Sequence, residues 1–292
     1  MKLRYHLEFA GLRLLVAVAR SVSTSTAAWL GTRLGDVAFD LVRKRRKVAL
    51  AHLRQTFPDE GDLVALARSV YRHLGGTAME HARTLGASSG DIPGKVMFSG
   101  EEHLAKALEL GRGAILITGH FGYWEMLGAA VGSLGYPITV VAKDQHNPLV
   151  NSLIVQCRER LGMRVVPMSS ATRGVLKSLS QNECVGLLVD QDAGPGGVFV
   201  DFLGREASTY RGPVVFAART GAPIIPCFIL KEGFERHRVV FEPAIDVVST
   251  GNDEDDIVRY TQAYTEVLER YVRDYPDHWF WVHRRWKTHR EE

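Results

Sequence analysis

Ala114-Ile115-Leu116-Ile117-Thr118-Gly119-His120-Phe121-Gly122-Tyr123-Trp124-Glu125 is the stretch on which the reading of the fold turns. Residues 114–118 are apolar and β-rich, which predicts a buried strand, and the glycines at 119 and 122 predict a sharp turn out of it. A helix is expected over 123–134. His120 then stands at the carboxyl end of a strand, the edge where open α/β sheets place their sites.

The same alternation extends in both directions. Helices are predicted at 101–110, 148–161, 173–179 and 253–274, and buried strands at 138–142, 164–166, 184–189 and 224–230, with 239–241 as an edge strand. Acidic residues in the first turn of 253–274 suit the positive end of the helix dipole. The stretch 198–204 is apolar with polar breaks. No internal repeat or linker interrupts the pattern, so one α/β domain with an N-terminal helical extension is expected.

Composition agrees with a globular chain. With 292 residues, 46% of them hydrophobic and 24% charged, a sizeable core can form, and disordered or collagen-like classes are excluded. A net charge of +3 is too small to argue for nucleic-acid binding, so any basic function must be local. Cys157, Cys184 and Cys227 are odd in number, far apart and set in apolar runs. They resemble buried thiols of a reducing compartment and form no CxxC pair.

Residues 12–19 are apolar apart from Arg13, and 21–32 carry no charge, but neither run reaches the roughly 18 apolar residues of a spanning helix. Arg20, Arg33 and Asp36 also argue against a signal peptide. Residues 7–42 are expected to form helices that pack on the domain or lie in a membrane surface. Arg43-Lys44-Arg45-Arg46-Lys47 follows as a run of cations. Two readings stand for it: a solvated helix face, or an anchor for anionic headgroups at roughly 1 kcal/mol per cation. The C-terminal Trp279-Phe280-Trp281-Val282-His283-Arg284-Arg285-Trp286-Lys287 has a similar pair of readings, seating at a lipid interface or docking of an acidic partner against packing of aromatics on the core.

For chemistry, His120 is the leading residue. Gly119 and Gly122 leave room around the imidazole. Glu125 would diverge from it by about 140° on a continuous helix, but with His120 in the turn the carboxylate can reach back to one ring nitrogen and leave the other as a base. His-x4-Glu is not a zinc spacing, and no metal site is expected. Asp190-Gln191, following the strand at 184–189, open onto the same edge, where they hold a substrate hydroxyl or fix a loop. The glycines at 194, 196 and 197 match no nucleotide-phosphate motif. Arg205 and Arg211 suit a phosphate or an oxyanion, or equally a surface ion pair. The cysteines lack a neighbouring base and are rejected as nucleophiles.

The order His120-x4-Glu125, Asp190-Gln191, Gly197-Val198-Phe199-Val200-Asp201-Phe202-Leu203-Gly204, Arg211-Gly212-Pro213, 219–226 and finally Trp281-Val282-His283-Arg284-Arg285-Trp286-Lys287 resembles the bacterial lipid A biosynthesis lauroyl/myristoyl acyltransferases. The resemblance spans roughly residues 43–287. It implies a glycerolipid acyltransferase-like fold, α/β with a single mixed sheet flanked by helices, divided as a membrane-associating segment (1–60) and an acyltransferase domain (61–292). His120 and Glu125 map onto the catalytic HxxxxD/E pair. Asp190, Gln191, Arg211, Gly122 and Tyr123 are the expected substrate-binding residues, Tyr123 standing where a small polar residue is usual. Arg43, Lys44, Arg45, Arg46, Lys47, Arg284, Arg285 and Lys287 are the expected contacts to membrane or acidic partner.

The implied reaction moves an acyl chain from acyl carrier protein or coenzyme A, as co-substrate and with no further cofactor, to a hydroxyl of a membrane lipid. The implied place is the cytoplasmic face of the bacterial inner membrane. A lipid A precursor is the first expectation for the acceptor, and phosphatidylinositol mannosides are the alternative within the family. In the expected mechanism Glu125 orients the imidazole, and N–H groups of 119–122, with Arg211, serve the oxyanion. A hydrolase using the same pair and a non-catalytic lipid-binding protein are the rivals.

Overall fold

The structure is a computed structural model that describes residues 2–290. Four helices come first: α1 (Leu3–Ser21), α2 (Thr24–Leu41), α3 (Arg43–Thr56) and α4 (Leu63–Thr84). Ser23 and Asp62 cap α2 and α4 by accepting from the Thr26 and Ala65 amides, which satisfies donors that a helix start leaves open. The backbones of α2 and α4 touch through glycines. A Cβ at Gly35 would lie 2.3 Å from the Tyr71 carbonyl oxygen, so the contact admits no side chain there.

The α/β part follows as β1 (Val96–Ser99), α5 (Glu101–Glu109), β2 (Ala114–Thr118), α6 (Trp124–Ser133), β3 (Ile138–Ala142), α7 (Pro148–Arg160), β4 (Met163–Pro167), α8 (Ala171–Ser180), β5 (Cys184–Leu188), β6 (Val198–Asp201), β7 (Glu206–Thr209), α9 (Gly212–Thr220), β8 (Ile224–Gly233), β9 (Arg236–Phe241) and α10 (Asp253–Asp274). Seven strands form one mixed sheet in the order β1-β9-β8-β2-β5-β3-β4, parallel except for the β8–β9 hairpin, and β6–β7 is a separate hairpin. The expected α/β class, with a mixed sheet, flanking helices and an N-terminal helical extension, is therefore the observed one. One local expectation changes, and one stretch left open gains a structure. The strand at 239–241 begins at Arg236 and is interior, because β1 pairs on its far side, and the stretch 198–204 holds the first strand of a hairpin (198–201) and most of its turn.

Apolar side chains fill both sheet faces. Leu116, Leu127, Val131 and Ile138 share a core on the α6 side, and Ile117, Val185, Ile224 and Tyr264 share one on the other. A third core joins Phe39, Leu53 and Val70 of the N-terminal helices to Phe121, Phe202, Trp279 and Trp281. The N-terminal helices are thus packed against the loop that carries His120. No helix among the described residues is long and apolar enough to cross a membrane.

Candidate active site

The site is built where β2 and β5 end side by side. The two strands are parallel, with Thr118 opposite Leu188, so residues two beyond each, His120 and Asp190, emerge together. Asp190 Oδ1 lies 2.8 Å from His120 Nδ1, and Oδ2 accepts the His120 backbone N–H at 2.9 Å. The turn that aims His120 depends on Gly122, whose φ of +58° places the position of a Cβ 1.9 Å from the Ile229 carbonyl oxygen. His278 accepts the Gly122 N–H with its carbonyl at 2.9 Å, so the 276–281 strap holds the turn from behind.

With Nδ1–H donated to a carboxylate, His120 Nε2 carries the lone pair. The Gln191 amide nitrogen faces it at 3.3 Å. Burial pushes the His120 pKa down, but the Asp190 charge and hydrogen bond outweigh it, so the pKa lies above its ordinary 6.5. Burial likewise pushes Asp190 up, and His120 with the Trp279 indole holds it below the usual carboxylate range.

Glu125 does not bond the ring. It forms a two-pronged pair with Arg158 of α7, Oε1 to Nη2 at 2.7 Å and Oε2 to Nε at 3.0 Å. Burial pushes the Glu125 pKa up and Arg158 more than reverses it. The carboxylate on His120 is therefore that of Asp190, because the helix carries Glu125 toward α7 while the strand register delivers Asp190. Of the expected oxyanion donors, four are engaged elsewhere. The N–H groups of His120, Phe121 and Gly122 are engaged by Asp190, Gly119 and His278, and the Arg211 guanidinium is turned to Glu254 at 2.5 Å. Tyr123 points inward, 1% exposed, with its hydroxyl 3.3 Å from His81 Nδ1.

An apolar cavity lies between α6 and strands β2, β3 and β5, its wall reaching the His120 turn through Thr118 and Trp124. Thr118, Trp124, Glu125 and Arg158 line it together with Leu127, Val131, Ile138 and Gly186. The Trp124 ring centroid lies 5.1 Å from that of His120. The three cysteines are buried and unpaired, and burial keeps their thiols protonated, Cys184 being pushed up to about 12.

The two basic runs meet. Lys47 from α3 and Arg284 and Lys287 from the C-terminus line one groove with His52 and Trp286. Arg43, Lys44 and Arg45 are exposed, Arg45 still donating to the Val282 carbonyl at 3.2 Å, and the half-buried Arg46 donates to that of Phe39 at 3.1 Å. Arg285 differs from its expected surface role. It is 1% exposed and bonds the Ser208 carbonyl and the Thr209 hydroxyl, because a buried guanidinium requires such acceptors.

Among the described residues one cluster, His73, Asp277 and His278, brings metal-ligand atoms within 4.8 Å of one another. It is a poor cation cage. His278 Nε2 accepts the Lys231 N–H at 3.1 Å, so its Nδ1 carries the proton shared with Asp277 at 2.8 Å and has no lone pair for a metal. The cluster braces the strap behind the turn.

The fold and the site together define an α/β protein with a histidine–aspartate pair beside an apolar cavity. The chain belongs to the family of bacterial lipid A biosynthesis acyltransferases, whose model matches residues 1–288. It is 31% identical to a phosphatidylinositol mannoside acyltransferase of Mycolicibacterium smegmatis over 63% of this chain and 60% of the relative. It is 26% identical to the lipid A biosynthesis lauroyltransferase of Escherichia coli over 99% of this chain and 94% of that protein, and 24% identical to the E. coli palmitoleoyltransferase over 89% and 84%. The match thus spans about three fifths of the mannoside acyltransferase's length.

Proposed function

We propose that the chain is an O-acyltransferase that moves a fatty acyl chain from a thioester donor to a sugar hydroxyl of a glycolipid. The observation that carries this reading is a histidine tied to Asp190 whose ring packs against Trp124, a wall residue of an apolar cavity that would take an alkyl chain. His120 takes the hydroxyl proton, and the oxygen attacks the thioester carbonyl. The tetrahedral intermediate expels the thiolate, which receives the proton back from His120. Asp190 orients the imidazole and stabilises its charged form. Glu125 adds negative charge near the ring, and its pair with Arg158 lies at the cavity wall. The Gln191 amide occupies the place an acceptor hydroxyl must take. Once displaced, it remains within reach of the oxyanion and takes over the role expected of backbone amides.

The acceptor is a phosphatidylinositol mannoside-class glycolipid in the reading we favour, supported by the 31% identity to an acyltransferase of that name. A lipid A precursor is the second reading, favoured by the nearly full-length match to the lauroyltransferase. Mass spectrometry of both lipid classes after incubation with acyl-coenzyme A or acyl carrier protein tests the two together. Gain of one acyl chain on one class, absent with His120→Ala, identifies the acceptor. Release of free fatty acid alone makes the protein a hydrolase, and no change with any donor leaves a lipid-binding protein.

The enzyme acts as a peripheral protein on the cytoplasmic face of the inner membrane, residues 1–60 supplying the membrane contact and 61–292 the acyltransferase domain. Leu3, Leu7, Leu14 and Val18 are exposed and fall on one face of α1, as an interfacial helix requires. The groove of Lys47, Arg284 and Lys287 takes a phosphate of the donor's carrier or of a headgroup. Five cations at the start of α3 oppose its dipole, a cost that an anionic partner relieves. The double change Lys47→Glu/Arg284→Glu is expected to weaken binding by about tenfold or more at low salt, at roughly 1 kcal/mol per cation. Titration with coenzyme A and with phosphatidylglycerol vesicles tells the two sources apart, and unchanged binding of both would remove the groove's role.

Gly186 sets a second test. A Cβ there meets Val140 Cγ1 at 3.4 Å and Ile138 Cδ1 at 3.7 Å, ordinary contacts, so a larger side chain projects into the cavity. Gly186→Leu is expected to cut transfer from long-chain donors about tenfold or more and to spare short-chain donors. A thermal melt shows whether overpacking has destabilised the fold, a cost of about 1–3 kcal/mol. An equal loss for short and long chains in a stable variant would place the acyl chain elsewhere.

A further inference from the structure

Trp279 lies at the start of the aromatic C-terminal run, and its side chain is 1% exposed. Packing accounts for its ring, which meets Phe202 at 5.3 Å and Trp281 at 4.7 Å between centroids. Packing does not account for the direction of its polar edge. The indole Nε1–H donates to Asp190 Oδ2 at 2.9 Å, on the oxygen that also accepts the His120 backbone amide, while Oδ1 faces His120 Nδ1. A fully buried carboxylate thus has three donors, and each one takes a share of its charge. The strap that carries Trp279 is itself tied to the turn of His120, since Phe121 bridges to Trp279 and Gly122 donates to the His278 carbonyl.

We propose that Trp279 is a positioning residue: its indole N–H holds the second oxygen of Asp190 and limits how strongly that carboxylate keeps a proton on His120. The inference rests on the reading of His120 as the base. A base must release its proton to the leaving group, and an undiluted buried carboxylate would favour the imidazolium too strongly. The other charged or titratable groups near the pair are Glu125 on α6, Tyr210 after β7, and His283 and Arg285 beyond the strap. The first and third of these flank His120, and Tyr210, His283 and Arg285 face Asp190. None of them is in hydrogen-bond contact with Asp190, so the indole is the side-chain donor on Oδ2.

The test replaces Trp279 with β-(3-benzothienyl)alanine, which keeps the bicyclic shape and lacks the N–H, and follows His120 by imidazole NMR over pH in the substrate-free protein. His120→Gln assigns the resonance. The expected result is a rise of the His120 pKa by roughly half a unit, a part of what a hydrogen bond to a charged group is worth. An unchanged or lowered pKa overturns the proposal and leaves Trp279 as packing. Should the analogue not fold, Trp279→Phe in the same measurement decides by the same criterion. The readout needs no substrate, so failure of the acyltransferase reading would appear separately, as absent transfer in the wild type.

Discussion

Asparagine at position 190 is expected to lower acyl transfer by about 10³–10⁴-fold with the fold intact, the scale seen when the carboxylate behind a histidine base is neutralised. The carboxylate does two things that an amide cannot. It accepts the Nδ1 proton at 2.8 Å, which fixes the tautomer with Nε2 free, and it stabilises the imidazolium once formed. The pH dependence carries a sign. If His120 is the base, as proposed, transfer requires its neutral form, so the wild-type rate is expected to fall as pH drops through a pKa that Asp190 holds above 6.5. In Asp190→Asn the main raising causes are gone, only the Glu125 charge still opposes burial, and the acid limb is expected to move to lower pH while the plateau falls. Measured kcat/KM against pH, with a melt to confirm folding, checks both. A near-normal rate in this variant together with a collapse in Glu125→Gln would make Glu125 the partner after all.

That contrast marks where the sequence was legible. Local pattern sufficed for Ala114–Thr118, Ile138–Ala142 and Asp253–Asp274, since apolar runs bounded by glycines and an acidic first turn are local signals. His120 was legible for the same reason, as a histidine between glycines after a strand. Its partner was not. Asp190 reaches the ring because β5 lies next to β2 in register, and strand order is not written in either segment. Two residues beyond each of two paired strand ends is a usable signal once that order is known. Arg285 and Tyr123 misled in a common way, a polar group in sequence that is buried and bonded in the fold, and Arg211 meets Glu254 on a helix some forty residues away. The cationic groove lay halfway between. Both runs were visible, and their meeting depends on how α3 packs against the C-terminal strap.

The Glu125–Arg158 pair should show its worth through the loss of one member. Arg158→Met leaves a carboxylate at the wall of an apolar cavity with its two-pronged partner gone, and the expected cost is about 3 kcal/mol, the low end for a broken buried pair because Glu125 keeps 22% exposure. The pH dependence again has a definite sign. In the wild type Arg158 holds the Glu125 pKa below 4.5, so the pair stabilises above that pH and the benefit is lost as pH falls through the lower, folded value. In Arg158→Met burial raises the pKa instead, so the deficit is largest at neutral pH and shrinks on acidification as Glu125 takes up a proton. Adding Glu125→Gln to Arg158→Met removes the stranded charge and should recover most of the stability, a coupling that a double-mutant cycle of urea melts reads directly. Activity need not follow. If the recovered double variant still transfers slowly, the Glu125 charge acts on the reaction through its field at His120, and if transfer recovers too, the pair serves the cavity wall alone. A double variant no more stable than Arg158→Met would mean that the stranded carboxylate was never the source of the loss.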